Sequence, residues 1–310
     1  MLLKIKKWLN KWIRPFRYRR AKRRLLRNPQ EYIRFLFRKH MGCEPNLENP
    51  QTLNEKLNWL KINWYDPKAP ICSDKYLVRQ YVEEKGLGHL LNELYAVWDN
   101  PDDIDLNALP EKFIMKTTHD SGRVAICTDK ANFNLKAAQE MFRTSMKYDY
   151  CFISGEWPYH TKHPRIVCEK LLEDKKHGEI YDYKFYCFNG EPYCIFFGSD
   201  RKNHVKADYY DLDWNLMPFH WRYETSGKLH DRPECLKEMV EYARILAQGF
   251  PFVRVDFYEV EGKVIFGELT FFHGGGFGHY EPEEMDLKMG QMVKLPETKA
   301  DPWDVIRQSL

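Results

Sequence analysis

Residues 253–277 read VRVDFYEVEGKVIFGELTFFHGGGF, and this stretch decides the fold. Two segments, 252–260 and 263–269, are rich in β-branched and aromatic residues, and Glu261-Gly262 between them supplies the punctuation of a tight hairpin. Alternation along the first segment sets Arg254 and Asp256 on one face, and pairing across the turn brings Glu268 near them. Two carboxylates beside an arginine at a sheet end, followed by the flexible run His273-Gly274-Gly275-Gly276, can hold Mg2+ against phosphates and offer backbone donors. The same three charged residues also describe a surface salt bridge, and the same glycines a tight turn.

Upstream, the pattern alternates helices and strands. Helices are expected at 30–40, at 52–63, where Thr52 and Glu55 form a capping box, and at 73–85, stopped by Gly86. Strands follow at 95–98, 112–117, 123–127, 165–172, 183–188 and 193–198, the last two joined by Asn189-Gly190, with helices at 135–148 and 233–248. Strands joined by hairpins imply an α+β fold with antiparallel sheets. The divisions expected are a basic arm (1–28), a mainly helical domain (29–110), a lid subdomain (111–168) and a C-terminal subdomain (169–310).

The first 28 residues hold twelve Lys and Arg and no acid, leaving 36 basic against 45 acidic residues beyond them. A body of that sign does not favour nucleic acid. Within the arm, Leu2, Ile5, Trp8, Leu9, Trp12, Ile13 and Phe16 recur at helical spacing, with Lys4, Lys6, Lys7, Lys11 and Arg14 between them, and Pro15 is expected to end or kink the helix. Such a helix suits the plane of an anionic bilayer surface, or else docks on the protein's own body with a solvated basic face. No run of residues matches a membrane span or a secretory signal, and the eight cysteines lie singly, as reduced core thiols. These features imply a cytoplasmic protein, peripheral on the membrane's inner face.

Three further clusters carry chemistry. Lys116 ends a strand before Thr117-Thr118-His119-Asp120-Ser121-Gly122, a loop able to cover a phosphate that the lysine meets. Glu169-Lys170-Leu171-Leu172 follows another strand, at a hinge able to read an adenine edge. Asp74-Lys75 opens a helix, or is an ordinary helix start.

In order along the chain, LNEKLNWLK (53–61), SDKYLVRQYVEEKGLG (73–88), FIMKTTHDSG (113–122), IVCEKLLED (166–174), YDYKFYCFNGEP (181–192), YYDLDWN (209–215) and the hairpin stretch resemble the ATP-grasp superfamily, and within it the TupA-like branch associated with surface-polysaccharide and teichuronopeptide synthesis. The resemblance implies two α+β subdomains clasping ATP, with Mg2+ as the metal. By it, Lys75 and Lys116 look like the phosphate-holding lysines, Ser121 and Gly122 part of the closing loop, and Glu169, Lys170, Leu171 and Leu172 the adenine hinge. Asp182 is a candidate for the ribose, and Lys184, Arg201 and Lys206 for phosphates. Asp256 and Glu268 resemble the metal ligands and Arg254 the cation facing the transferred phosphoryl group. Many ATP-grasp enzymes carry Asn two residues after the second carboxylate, where this chain has Thr270, whose hydroxyl can still ligate a metal.

The chemistry so implied joins a carboxylate to an amine through an acylphosphate, with Gly275 and Gly276 among the backbone donors to the oxyanion. An amino acid or uronic acid on a polysaccharide precursor is the implied substrate. Two alternatives stay open. Asp211-Leu212-Asp213 is a DxD triplet of the kind that holds metal and diphosphate in nucleotide-sugar glycosyltransferases, and the same ATP site would serve a sugar or polysaccharide kinase.

Overall fold

The computed structural model describes residues 2–200 and 204–310, with side chains described from residue 14 onward. Five helices come first: α1 (Leu2–Arg27), α2 (Pro29–Met41), α3 (Leu53–Asn63), α4 (Lys68–Ser73) and α5 (Val78–Glu84). The expected capping box holds, Thr52 Oγ1 accepting from Glu55 N while the Glu55 carboxylate accepts from Thr52 N. One helix expected at 73–85 is interrupted instead. Asp74 Oδ1 accepts from the N–H groups of both Tyr76 and Leu77, making a turn that carries Lys75 between α4 and α5.

Pro15 does not end the first helix, which runs through it to Arg27. From residue 14 the inner side of α1 lies on the protein's own body: Leu25 is fully buried, Tyr18 meets Tyr148 and Phe152, and Lys22 sits over the Phe152 ring. Phe16 and Arg17, Arg19, Arg20, Arg23 and Arg27 face outward. The side chains of residues 1–13, which carry most of the apolar stripe, lie outside the described residues.

Two antiparallel sheets follow. The first contains β1 (Leu94–Trp98), β2 (Phe113–Thr117), β3 (Val124–Cys127) and β4 (Ile166–Lys170) in the order β1-β4-β2-β3, with α6 (Leu135–Met146) packed through Phe142 onto Phe113, Met115 and Cys168, and α7 (Cys151–Ser154) beyond it. β1, expected with the helical domain, pairs with β4 and so belongs to this sheet. The second is β10-β9-β5-β6-β7, from β5 (Asp182–Phe188), β6 (Glu191–Ser199), β7 (Lys206–Tyr210), β9 (Phe252–Val260) and β10 (Lys263–Thr270). A two-stranded piece, β8 (His220–Trp221) with β11 (Tyr280–Glu281), lies beside it, and α8 (Leu236–Ala247), α9 (Glu284–Met292) and α10 (Pro302–Ser309) complete the described elements.

The helical region is the sheets' scaffold. Along α3, Asn54 binds both oxygens of the buried Asp286 on α9, Asn58 donates to Gly276 O, and Lys61 donates to Gly275 O. α9 approaches so closely that a Cβ on Gly290 would stand 2.1 Å from Gln51 O and 2.6 Å from Leu53 N, both backbone atoms that cannot yield singly. Gly290→Ala is therefore expected to lower stability by about 1–3 kcal/mol, read as a fall in the urea midpoint at unchanged slope.

Candidate active site

The catalytic candidates of the second sheet are set by a single irregularity. From the turn at 261–262 the hairpin pairs in step as far as Phe266 with Phe257, after which Gly267 is an extra residue and Glu268 stands opposite Asp256, Thr270 opposite Arg254. Without this bulge Glu268 would face Val255 and point to the other side. A Cβ on Gly267 would lie 3.0 Å from Asp256 O, so the bulge suits a glycine. On the other flank of β9, Lys184 pairs with Asp256 and Tyr186 with Arg254. One cross-strand row is thus Lys184–Asp256–Glu268 and the next Tyr186–Arg254–Thr270.

Arg254 ties the rows together. Its Nε and Nη2 each donate at 2.7 Å to the two oxygens of Asp256, and Nη2 also lies 3.1 Å from Glu268 Oε1 and from Thr270 Oγ1. Lys184 Nζ bridges Asp256 Oδ2 at 2.8 Å and Asp182 Oδ1 at 3.0 Å. Burial would lower the Lys184 ammonium, yet Asp256 and Asp182 raise it above its ordinary value. Burial would likewise raise the Glu268 carboxyl, but Arg254, Lys75 and Lys184 hold it down at about 2, so it is ionised at neutral pH. Its side chain keeps 42% of its surface open while that of Asp256 keeps 3%. An open carboxylate with the Thr270 hydroxyl 3.0 Å from it, backed by a buried second acid, is an oxygen set that fits a hard divalent cation.

His273, which sequence reading passed over as part of a turn, orients Arg254. Arg254 Nη1 lies 3.0 Å from His273 Nδ1, and His273 Nε2 lies 2.6 Å from the Tyr186 hydroxyl. Burial and then the charges of Arg254, Lys184 and Arg222 push the imidazole well below its usual range. It is neutral, Nδ1 accepts from the guanidinium, and Nε2–H donates to Tyr186.

The first sheet faces this set. Lys116 Nζ lies 2.9 Å from Glu169 Oε2, and Lys75 Nζ donates at 2.5 Å to Asp120 O. Asp120 is pinned in turn by Thr117 and Ser145. Burial lowers Lys75 against the pull of Glu268 first, and Glu268 also counts among the charges that raise Lys116 once Glu169 has offset its burial. Glu268 is therefore the acid of this set that both lysines feel, although neither lysine is part of the cleft lining. A cleft of about 1040 Å³ opens between the sheets and the helical region, lined by Ser121, Asp182, Lys184, Arg254, Glu268 and Thr270, and by Glu156, Arg222 and the glycine turn.

Several expectations need correction. Gly275 N–H already donates to Phe272 O at 2.8 Å, so it is not a ready oxyanion donor, and the carbonyls of Gly275 and Gly276 are held by Lys61 and Asn58. The Glu169 carboxylate is the counter-ion of Lys116 and of Arg79, and the Lys170 N–H and carbonyl are engaged by Glu93 and Asn92, so that of the four residues expected at the hinge only Leu171 and Leu172, beyond the end of β4, stay candidates. Lys206 pairs with Glu224 at 2.5 Å; Glu224 lines the cleft but Lys206 does not. Arg201 lies outside the described residues. Asp211 accepts from the N–H groups of Asp213 and Asn215 and from the Asn215 amide, so the DxD triplet is a turn, away from the cleft lining.

Comparison with known proteins bears on this arrangement. The family model described as TupA-like ATPgrasp matches residues 55–294. No curated protein matches the chain. Among solved structures, D-alanine–D-alanine ligase from Helicobacter pylori is 15% identical with a TM-score of 0.42, covering 80% of this chain and 70% of that one. The same enzyme from Bacillus anthracis, complexed with ATP, is 13% identical with a TM-score of 0.39, covering 65% and 54%. The ATP-grasp ligase PsnB with its minimal precursor is 13% identical at 0.37, covering 66% and 53%. This chain spans about half the length of the latter two. Those likenesses are distant and carry no weight alone, whereas the family match extends over well more than half of the chain and takes in both sheets: the chain belongs to the TupA-like ATP-grasp family.

Proposed function

We propose that the chain is an ATP-dependent carboxylate–amine ligase acting through an acylphosphate, and that it forms an amide on a precursor of a cell-surface polysaccharide. The observation that carries this reading is the Lys184–Asp256–Glu268 row with Arg254, together with Lys75 and Lys116, both of which lie in the field of Glu268. Bound Mg-ATP would supply the phosphoryl group and a metal to neutralise its oxygens. The residues do the rest. Glu268 and Asp256, with Thr270, are the candidate metal holders, and Lys116 from the first sheet and Lys75 from the turn between α4 and α5 are the candidates to meet phosphates. Arg254, aimed by Asp256 and His273, spreads charge as the substrate carboxylate attacks. The loop at Ser121 and Gly122, anchored through Asp120 and touching the cleft at Ser121, is the candidate cover for the phosphates.

The substrate reading is supported by the polarity of the cleft, whose mouth carries Lys39 and Arg222. Arg222 holds a left-handed backbone at φ 62°, a conformation that a non-glycine residue adopts only when its surroundings demand it. Lys39 and Arg222, set among the acids Glu224 and Glu281 of the same lining, are the cations available to an anionic substrate such as a uronic acid or an amino acid. The outward arginines of α1, with Phe16 70% exposed among them, support attachment to an anionic bilayer surface; no described helix is long and apolar enough to cross a membrane.

Three outcomes are expected. Reactions with Mg-ATP, a panel of amino acids and nucleotide-linked uronic acids, read by mass spectrometry, give ADP, phosphate and a product lighter than its two precursors by one water. A stable phosphorylated product would instead mean a kinase, and release of a nucleoside diphosphate from the sugar nucleotide a glycosyltransferase. In calorimetry, Glu268→Gln and Lys116→Ala each weaken Mg-ATP binding at least about tenfold, or about 1.4 kcal/mol. Reversing Arg19, Arg20 and Arg23 to Glu abolishes co-sedimentation with anionic liposomes and leaves Mg-ATP binding intact; equal sedimentation would remove the membrane reading. Charge reversal is preferable to deleting residues 1–28, since deletion would uncover the core beneath Leu25.

A further inference from the structure

Beneath the glycine turn lies a pair of opposite charges that the phosphoryl end of the site does not use. Lys61 on α3 is fully buried, and Glu156, just after α7, is 4% exposed. Lys61 Nζ donates to Gly275 O at 2.5 Å and stands 4.5 Å from the centre of the Phe277 ring. Glu156 lies against the same turn, where a Cβ on Gly275 would be 3.8 Å from its Oε1, and it forms part of the wall of the 1040 Å³ cleft.

The pair is electrically interdependent. Burial pushes the Glu156 carboxyl up, while Lys61 and then the Ser154 hydroxyl draw it back; burial pushes Lys61 down, while Glu156 opposes. The other titratable groups in the field of Glu156 are Tyr150, Cys151 and Tyr159, all of them raised by burial. Tyr159 also feels Glu268 and Arg254, and Glu156, Tyr159 and Glu268 line one cleft. Mere bridging of α3 to α7 would be met as well by an apolar pair, because sealing two ions from water costs about as much as their attraction returns. A carboxylate beside an open cleft, with its own buried counter-cation, is by contrast a receptor for a positively charged group.

We propose that Glu156 receives the primary ammonium group of the amine substrate and takes its proton, with Lys61 as the positioning residue that pins the glycine turn beside it. The inference rests on the ligase reading above. One N–H proton passes from the ammonium to the Glu156 carboxylate, leaving a neutral amine. The nitrogen lone pair then forms the C–N bond at the acyl carbon, the bond from that carbon to the phosphate oxygen breaks, and phosphate departs with the electron pair, the second N–H proton going with it.

The test compares two nucleophiles. Glycine is an ammonium ion at neutral pH and needs the base, whereas hydroxylamine is already unprotonated and does not. Wild type and Glu156→Gln are each given Mg-ATP, the carboxylate panel and one or other nucleophile, and the amide and hydroxamate are measured by mass spectrometry over a pH series. The expected result is a fall of at least about 100-fold in the ratio of amide to hydroxamate in the variant near neutrality, recovering as pH rises and free glycine amine accumulates. Lys61→Met, by removing the cation that holds Glu156 down, moves the rising limb of amide formation to higher pH. If Glu156→Gln loses Mg-ATP binding and so its fold, Glu156→Asp carries the same ratio test. An unchanged ratio in a variant that folds overturns the role of Glu156 alone. A wild type that makes neither product with any acid overturns the ligase reading, and this inference with it.

Discussion

Everything in the site leans on one guanidinium. Arg254 is in contact with Asp256, Glu268, Thr270 and His273 at once, and a planar fork with fixed donor directions can satisfy all four only if β9, β10 and the segment after β10 are held in one mutual arrangement. A lysine at this position would supply charge without that geometry. The acids left behind would repel one another, and the neutral His273–Tyr186 pair would lose the donor that fixes its tautomer. Placing the cation beside Glu268 also keeps that carboxylate ionised against the burial that would otherwise drive it toward protonation.

The helical region gives that arrangement its outer wall. Polar side chains on one face of α3, at Asn54, Asn58 and Lys61, reach across to α9 and to the glycine turn, so that the turn is gripped through its carbonyls and not through its N–H groups. Its glycines have positive φ, and at Gly276 a Cβ would stand 2.8 Å from the Asn58 amide nitrogen. Glycine is there because α3 approaches so closely. With its carbonyls held by α3 and the Gly275 N–H donating to Phe272 O, the turn presents a fixed backbone to the cleft.

How far the sequence disclosed this depends on the range of the interaction. The Thr52–Glu55 cap, the Asn189-Gly190 and Glu261-Gly262 turns and the strand at Phe113–Thr117 are set by residues a few positions apart, and they were legible. β7 was not, because Ala207 to Tyr210 are buried on both faces and show no alternation. What was not legible at the hinge and the turn is the state of single groups: that the Gly275 N–H is already engaged, and that Glu169 already has partners, depends on segments brought together from distant parts of the sequence. Lys61 and Glu156 gave no signal at all, since 95 residues separate them and each alone looks like an ordinary surface charge. The asparagine-to-threonine departure at Thr270 was visible, and its hydroxyl contacts both Arg254 and Glu268.

The extra residue at Gly267 gives the hairpin a parity. Counting inward from its tip, an even ladder would seat Glu268 and Thr270 against the opposite surface, and only the unmatched glycine returns them to the cleft. Two sequences could therefore share every charged residue of this hairpin and differ in chemistry through the loss of one uncharged, side-chain-free position. Aligning such chains by their acids alone, with gaps placed freely between Phe266 and Glu268, would count as equivalent two strands whose carboxylates look in opposite directions.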